Sequence, residues 1–192
     1  MPPKAKFTKN EIIHAAMGIV RREGFSALTA RTLGKELGSS ARPIFTLFQN
    51  MEEVQQSVMR AAKELYAEYV ERGLSEELPF KGVGTQYILF SMEEPKLFQL
   101  LFMAEQEKVP DLSGVHPLIE DNYEEILLSI KMGYGLREES AKRLYQHLWI
   151  YTHGIATLCA TKMCHFTGGE ISEMMTDVFA GLMRKVKEEE GQ

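Results

Sequence analysis

Between residues 28 and 54 the chain sets hydroxyl, guanidinium and aromatic groups close together: Thr29, Ser40, Ala41, Arg42, Phe45 and Thr46. Hydroxyls and the first amides of a helix are donors to anionic oxygens. A guanidinium can give two parallel hydrogen bonds to one base edge. Lys4 and Lys6 add charge on an N-terminal arm. Such an arm can lie along a phosphate backbone or in a minor groove, and it can equally be a start with no role. The chemistry of these types is recognition of a polyanion. Bond-breaking chemistry has no comparable set: the chain holds no nucleophile elbow, phosphate loop or paired acids. His153, Cys159, Cys164 and His165 are the nearest thing to a metal or thiol site, and their spacing fits no zinc pattern. No catalytic residue, metal or cofactor is expected.

The periodicity around those residues predicts helix, sharp turn, helix. Thr29 is placed to cap a first helix. Ala30, Leu33 and Leu37 recur at three- and four-residue spacing and share a face. Gly38 suits a helix end. Ser39 and Ser40 offer a second cap, and Ile44 and Phe48 would face back on the first helix. With Ser40 as cap, Pro43 falls in the first turn, where its missing amide costs little. A Gly-containing turn between two short helices is a helix-turn-helix, whose second helix can enter a major groove.

Leu28-Thr29, Leu33-Gly34-Lys35-Glu36-Leu37-Gly38, Ser40, Pro43-Ile44-Phe45, Phe48, Asn50 and Glu52-Glu53-Val54 together resemble the N-terminal domain of the TetR (tetracycline-repressor-like) family of transcriptional regulators. The preceding helix, which ends in Glu23-Gly24-Phe25, fits as well. The resemblance implies an all-α protein with an N-terminal three-helix DNA-binding domain at 1–50. A helical domain at 51–192 would bind a ligand and form the dimer. It also implies a DNA-facing role for Lys4, Lys6, Thr29, Ser40, Ala41, Arg42, Phe45 and Thr46. Phe45 stands where the family usually has a phosphate-binding Tyr, and Gln49 and Met51 replace frequent lysines. Fewer cations release fewer counterions and weaken non-specific binding. Thr46 and Leu47 could meet thymine methyls instead, or Leu47 could be core.

Charge divides the chain in the same way. Net charge is −5. Residues 1–50 nevertheless carry eight Lys or Arg against three acids, and the remainder carries 14 against 24. A basic head on an acidic body fits double-stranded DNA as partner. At 44% hydrophobic and 26% charged, the composition is that of a globular chain. No apolar run is long enough to span a bilayer, no signal peptide is evident, and two cysteines make no disulfide framework. A cytoplasmic protein with no membrane partner is expected.

The remaining elements read as helices throughout. Thr8 and Glu11 predict a capping box at the start of the first, and Asn50 and Glu53 a cap before a long helix to about residue 72. Helices follow over 80–93, after Pro95, over 116–132, over 137–165 and over 170–189, with a loop at 108–117. Cys159 and Cys164 would share one helix with diverging side chains. The last two helices are apolar over more than one face. A surface helix needs one stripe, so the excess predicts a second partner. The resemblance makes that partner a second copy, with Met174, Val178 and Leu182 in the dimer interface.

The resemblance also places a ligand pocket among the helices of the body. Tyr87, Phe98, Phe102, Met103, Tyr123, Trp149 and His153 are its candidate lining. Apolar clefts with a few polar groups are the usual small-molecule sites. The same stripe can be plain core, and His153 a buried histidine satisfied by a backbone carbonyl. The expected function is a ligand-responsive repressor that binds a pseudo-palindromic operator as a homodimer. Its effector would be apolar or aromatic. The alternative is a helical ligand- or protein-binding dimer with weakened DNA binding.

Overall fold

The computed structural model describes residues 6–105, 109–111, 114–115 and 120–191, which are helices and turns with no strand. They form two compact units. One takes the described residues through Tyr66 together with Glu94–Ala104; the other takes Ala67–Glu93 and the described residues from Glu105 on. The change-over between these compact units falls inside a helix, at 66/67.

In the first unit, α1 spans Lys9–Glu23. Thr8 Oγ1 accepts from the Glu11 amide at 3.2 Å, and the Glu11 carboxylate accepts from the Thr8 amide at 2.7 Å, so two orphan donors are satisfied reciprocally. Gly24, at φ +90°, stops the helix. Helix α2, Ala30–Glu36, starts on Thr29, whose Oγ1 accepts from the Thr32 amide. It ends in a Schellman turn. Gly38 sits at φ +60° and the Ser39 amide reaches back to the Gly34 carbonyl at 2.9 Å.

The second helix of the expected pair does not form as an α-helix. Residues 40–43 are non-helical, and only a single 3-10 turn, Ile44–Thr46, follows. The segment closes on shorter bonds than an α-helix uses. The amides of Ile44, Thr46 and Leu47 bond three residues back, to Ala41, Pro43 and Ile44. Ile44 and Phe48 are buried as the pattern requires. Helix α3, Met51–Leu74, begins on Asn50 Oδ1, which accepts from the Glu53 amide at 2.9 Å. After α4, which belongs to the other unit, α5 (Pro95–Phe102) returns to this one. Ile12, Ile19, Leu33, Ile44, Val54, Leu97 and Phe98 are its core, each at most 1% exposed.

The second unit contains the end of α3, α4 (Pro79–Glu93), α6 (Tyr123–Tyr134), α7 (Glu138–Ala160) and α8 (Gly168–Glu190). The end of α3 and the start of α4 meet backbone to backbone. A Cβ on Gly82 would lie 2.3 Å from the Gly73 carbonyl oxygen, and one on Gly73 2.6 Å from the Val83 nitrogen. Leu144, Ile126, Ile130 and Phe90 fill the core.

Three boundaries differ from the sequence expectation. Helix α6 begins at Tyr123; residues 116–119 lie outside the described residues, and Glu120 is non-helical and buried. Helix α7 ends at Ala160, five residues early. Lys162 takes φ +57° and the Met163 amide bonds the Leu158 carbonyl, a Schellman turn without glycine. Cys164 is consequently in the turn and exposed, while Cys159 stays in α7, so the two do not share a helix. Helix α8 starts at Gly168, behind the Thr167–Glu170 capping box. Among the described residues no helix is long and apolar enough to cross a membrane.

Candidate nucleic-acid interface and ligand cavity

The first unit sorts its cations by partner. Lys9 pairs with Glu53 at 3.0 Å, Arg21 with Glu94 at 2.8 Å, and Arg22 with Glu36 at 2.8 Å. These three serve the fold. Lys6, Arg31, Lys35 and Arg42, on and near the turn, make no ion pair among the described residues and are exposed, as are Arg60 and Lys63 on α3. Lys6 is tied to the turn by its Nζ, which donates to Ser39 Oγ at 3.1 Å. Lys4 lies outside the described residues.

The remaining expected contacts flank that turn. Thr29 and Ser40 are exposed, Ala41 is half-buried, and Phe45 is exposed at 44%. The Thr46 hydroxyl is spent on the Pro43 carbonyl, to which it donates at 2.7 Å. Thr29 Oγ1 is likewise engaged in its own helix cap. Leu47 is half-buried. The turn itself rests on Gly34, where a Cβ would stand 3.0 Å from the Ala41 nitrogen. Arg31, Lys35 and Gly34 are residues the sequence reading left out. The two cations carried no special spacing, and the role of Gly34 shows only once the turn folds back on it.

The second unit encloses a cavity of about 770 Å³ between α4, α7 and α8. Phe80, Tyr87, Ile88 and Met92 line it from α4; Tyr145, Leu148, Trp149 and Thr152 from α7; Ile171, Met175 and Phe179 from α8. Tyr134 and Glu120 complete one end. Four rings meet there: Phe80 with Tyr134 (6.4 Å) and Tyr145 (6.1 Å), and Tyr134 with Phe179 (5.1 Å). Glu120 is only 3% exposed, and Tyr145 Oη donates to its carboxylate at 3.4 Å. Burial, with the Glu120 charge adding to it, pushes the Tyr87 and Tyr145 hydroxyls well above the usual phenol value. Burial pulls His153 below the usual imidazole value.

Of the seven expected lining residues, Tyr87 and Trp149 reach the cavity. His153 and Tyr123 stand behind it. His153 Nδ1 is 2.8 Å from Tyr87 Oη and its ring stacks on Trp149 at 5.0 Å, so a phenol is among its partners. Tyr123 packs on Tyr145 at 5.7 Å. Phe98, Phe102 and Met103 do not take part. They belong to the first unit, where Phe98 is core, Phe102 packs on Tyr66 at 5.0 Å, and Met103 is exposed. Their apolar spacing marks a buried helix, and spacing carries no information about which core a helix joins. Met174, Val178 and Leu182 are half-buried along α8, of which only Met183 and Val186 are buried.

No protein-family profile and no curated protein matches the sequence. Among solved structures, a TetR family protein from Vibrio parahaemolyticus, described as a transcriptional regulator, superposes with a TM-score of 0.63. The match covers 89% of this chain and 96% of that one, at 15% identity. The fold is TetR-like. In this TetR-like chain the exposed cations on and beside the turn lie in the first unit and the cavity in the second.

Proposed function

We propose that this protein is a ligand-responsive, DNA-binding transcriptional regulator, a repressor acting in the cytoplasm. In this reading it binds a pseudo-palindromic operator as a homodimer, with 1–50 contacting DNA and 51–192 serving ligand and dimer. The observation that carries it is the set of exposed cations at the turn of the first unit. Three are neutralised by the fold, while Lys6, Arg31, Lys35 and Arg42 stay exposed without acidic partners on and beside the turn. Phosphate contact is the chemistry open to such a set. Met174, Val178 and Leu182 supply the half-buried apolar row for a second copy. An effector in the cavity shifts DNA binding only by favouring one of two arrangements of the dimer, and DNA must then weaken the effector by the same factor.

One observation favours a second reading, a helical ligand- or protein-binding dimer with weakened DNA binding. The segment that should form the recognition helix is a lone 3-10 turn. Selection of bound fragments from genomic DNA by the full-length protein separates the two. Enrichment of a fragment with an inverted repeat supports the regulator; uniform recovery of all fragments supports the second reading.

A further inference from the structure

The cavity has a chemical polarity along its length. Much of its wall is apolar, with Leu148, Ile171, Met175, Ile88 and Met92 on it, and Lys81 and Glu76 also border it. One end is different. Phe80, Tyr134, Tyr145 and Phe179 stand there at interplanar angles of 54–76°, so the rings present faces in several directions and not one flat stack. The Glu120 carboxylate is in the same wall, hydrogen-bonded by Tyr145 and buried. Aromatic faces attract a cation through the ring quadrupole, more strongly where water is excluded. A buried carboxylate is stabilised by donors and by positive charge, and penalises a second anion. Both features select the same partner.

We propose that this end of the cavity takes the ammonium group of an amphiphilic organic amine, its apolar body lying along the aliphatic wall. The carboxylate of Glu120 faces the charge and the rings of Phe80, Tyr145 and Phe179 surround it. The inference deepens the effector-site reading and rests on it, but its test uses no DNA, so failure of operator binding and failure of charge selectivity are separate results.

The test is titration of the full-length protein with three molecules of one shape and different charge: 4-butylbenzylammonium, 4-butylbenzyl alcohol and 4-butylbenzoate. The readout is fluorescence of Trp149, the single tryptophan, which lines the cavity. The ammonium is expected to bind at least about tenfold more tightly than the alcohol, and the carboxylate most weakly. E120Q should remove that preference and leave alcohol binding within about twofold, and F179L should weaken the ammonium more than the alcohol. Equal or tighter binding of the carboxylate overturns the proposal, as does an equal loss of ammonium and alcohol in E120Q. Binding of none of the three overturns it as well. If E120Q does not fold, the order of the three affinities in the unaltered protein still decides.

Discussion

At the scale of single residues, Arg42 and His153 carry the sharpest consequences. Arg42 is exposed, has no acid partner, and sits in the turn that leads to Ile44–Thr46. If it reads a base, Arg42→Ala should cost about 1–3 kcal/mol at one operator position and relax specificity there. Binding to a panel of single-base operator variants checks this; an equal loss on every sequence makes Arg42 a phosphate contact. His153 gives a pH signature. Burial holds its folded pKa below 6.5. As pH falls below 6.5 the unfolded chain takes the proton first, so stability declines from that point until the lower folded pKa is passed, and is complete above 6.5. Urea titrations from about pH 7.5 to about pH 5.5 should show the decline, and His153→Gln should flatten it. The sequence made the Trp149–His153 pair legible, since four-residue spacing on a helix is a face. The phenol partner was not legible, because Tyr87 lies 66 positions away.

At the scale of elements, capping chemistry was the most readable feature. The Thr8–Glu11 box is local and formed where the pattern placed it. Errors arose where a stop depends on backbone conformation and not on residue type. Lys162 adopts the left-handed region without being glycine, so nothing in the sequence signalled the end of α7. Pro43 is tolerable in a first turn, yet the segment closes with bonds three residues back and is a 3-10 turn in place of a helix. The crossing of α3 and α4 was also hidden, because a glycine in a helix has many uses. Here Gly73 and Gly82 exclude a side chain, since a Cβ on Gly82 would meet the Gly73 carbonyl oxygen at 2.3 Å. Gly82→Ala should therefore destabilise the second unit by about 1–3 kcal/mol, the usual cost of overpacking, despite the higher helix propensity of alanine. Thermal unfolding followed by circular dichroism measures it; a rise in midpoint would contradict the close crossing. On α8, Val178→Glu would place a charge in the proposed dimer seam, which is costly without a partner. Sedimentation should show the variant as monomer at a concentration where the unaltered chain is a dimer.

At the scale of the whole molecule, the helical class and the charge division were legible, because both are sums over many residues. The grouping of helices was not. Helix α5 joins the first unit although α4, immediately before it, joins the second. Phe98, Phe102 and Met103 accordingly belong to the first unit and do not line the cavity of the second. In the proposed function, Lys6, Arg31, Lys35 and Arg42 form a phosphate-binding face. The salt dependence of operator affinity tests it most directly, for the unaltered protein and for an Arg31→Ala, Lys35→Ala double variant. Each phosphate contact contributes about −0.9 to the slope of log Kobs against log salt on duplex DNA. A dimer loses each contact in both half-sites, so the double variant should have a slope shallower by about 3–4. An unchanged slope, or no duplex bound above the level of random DNA, would contradict the account.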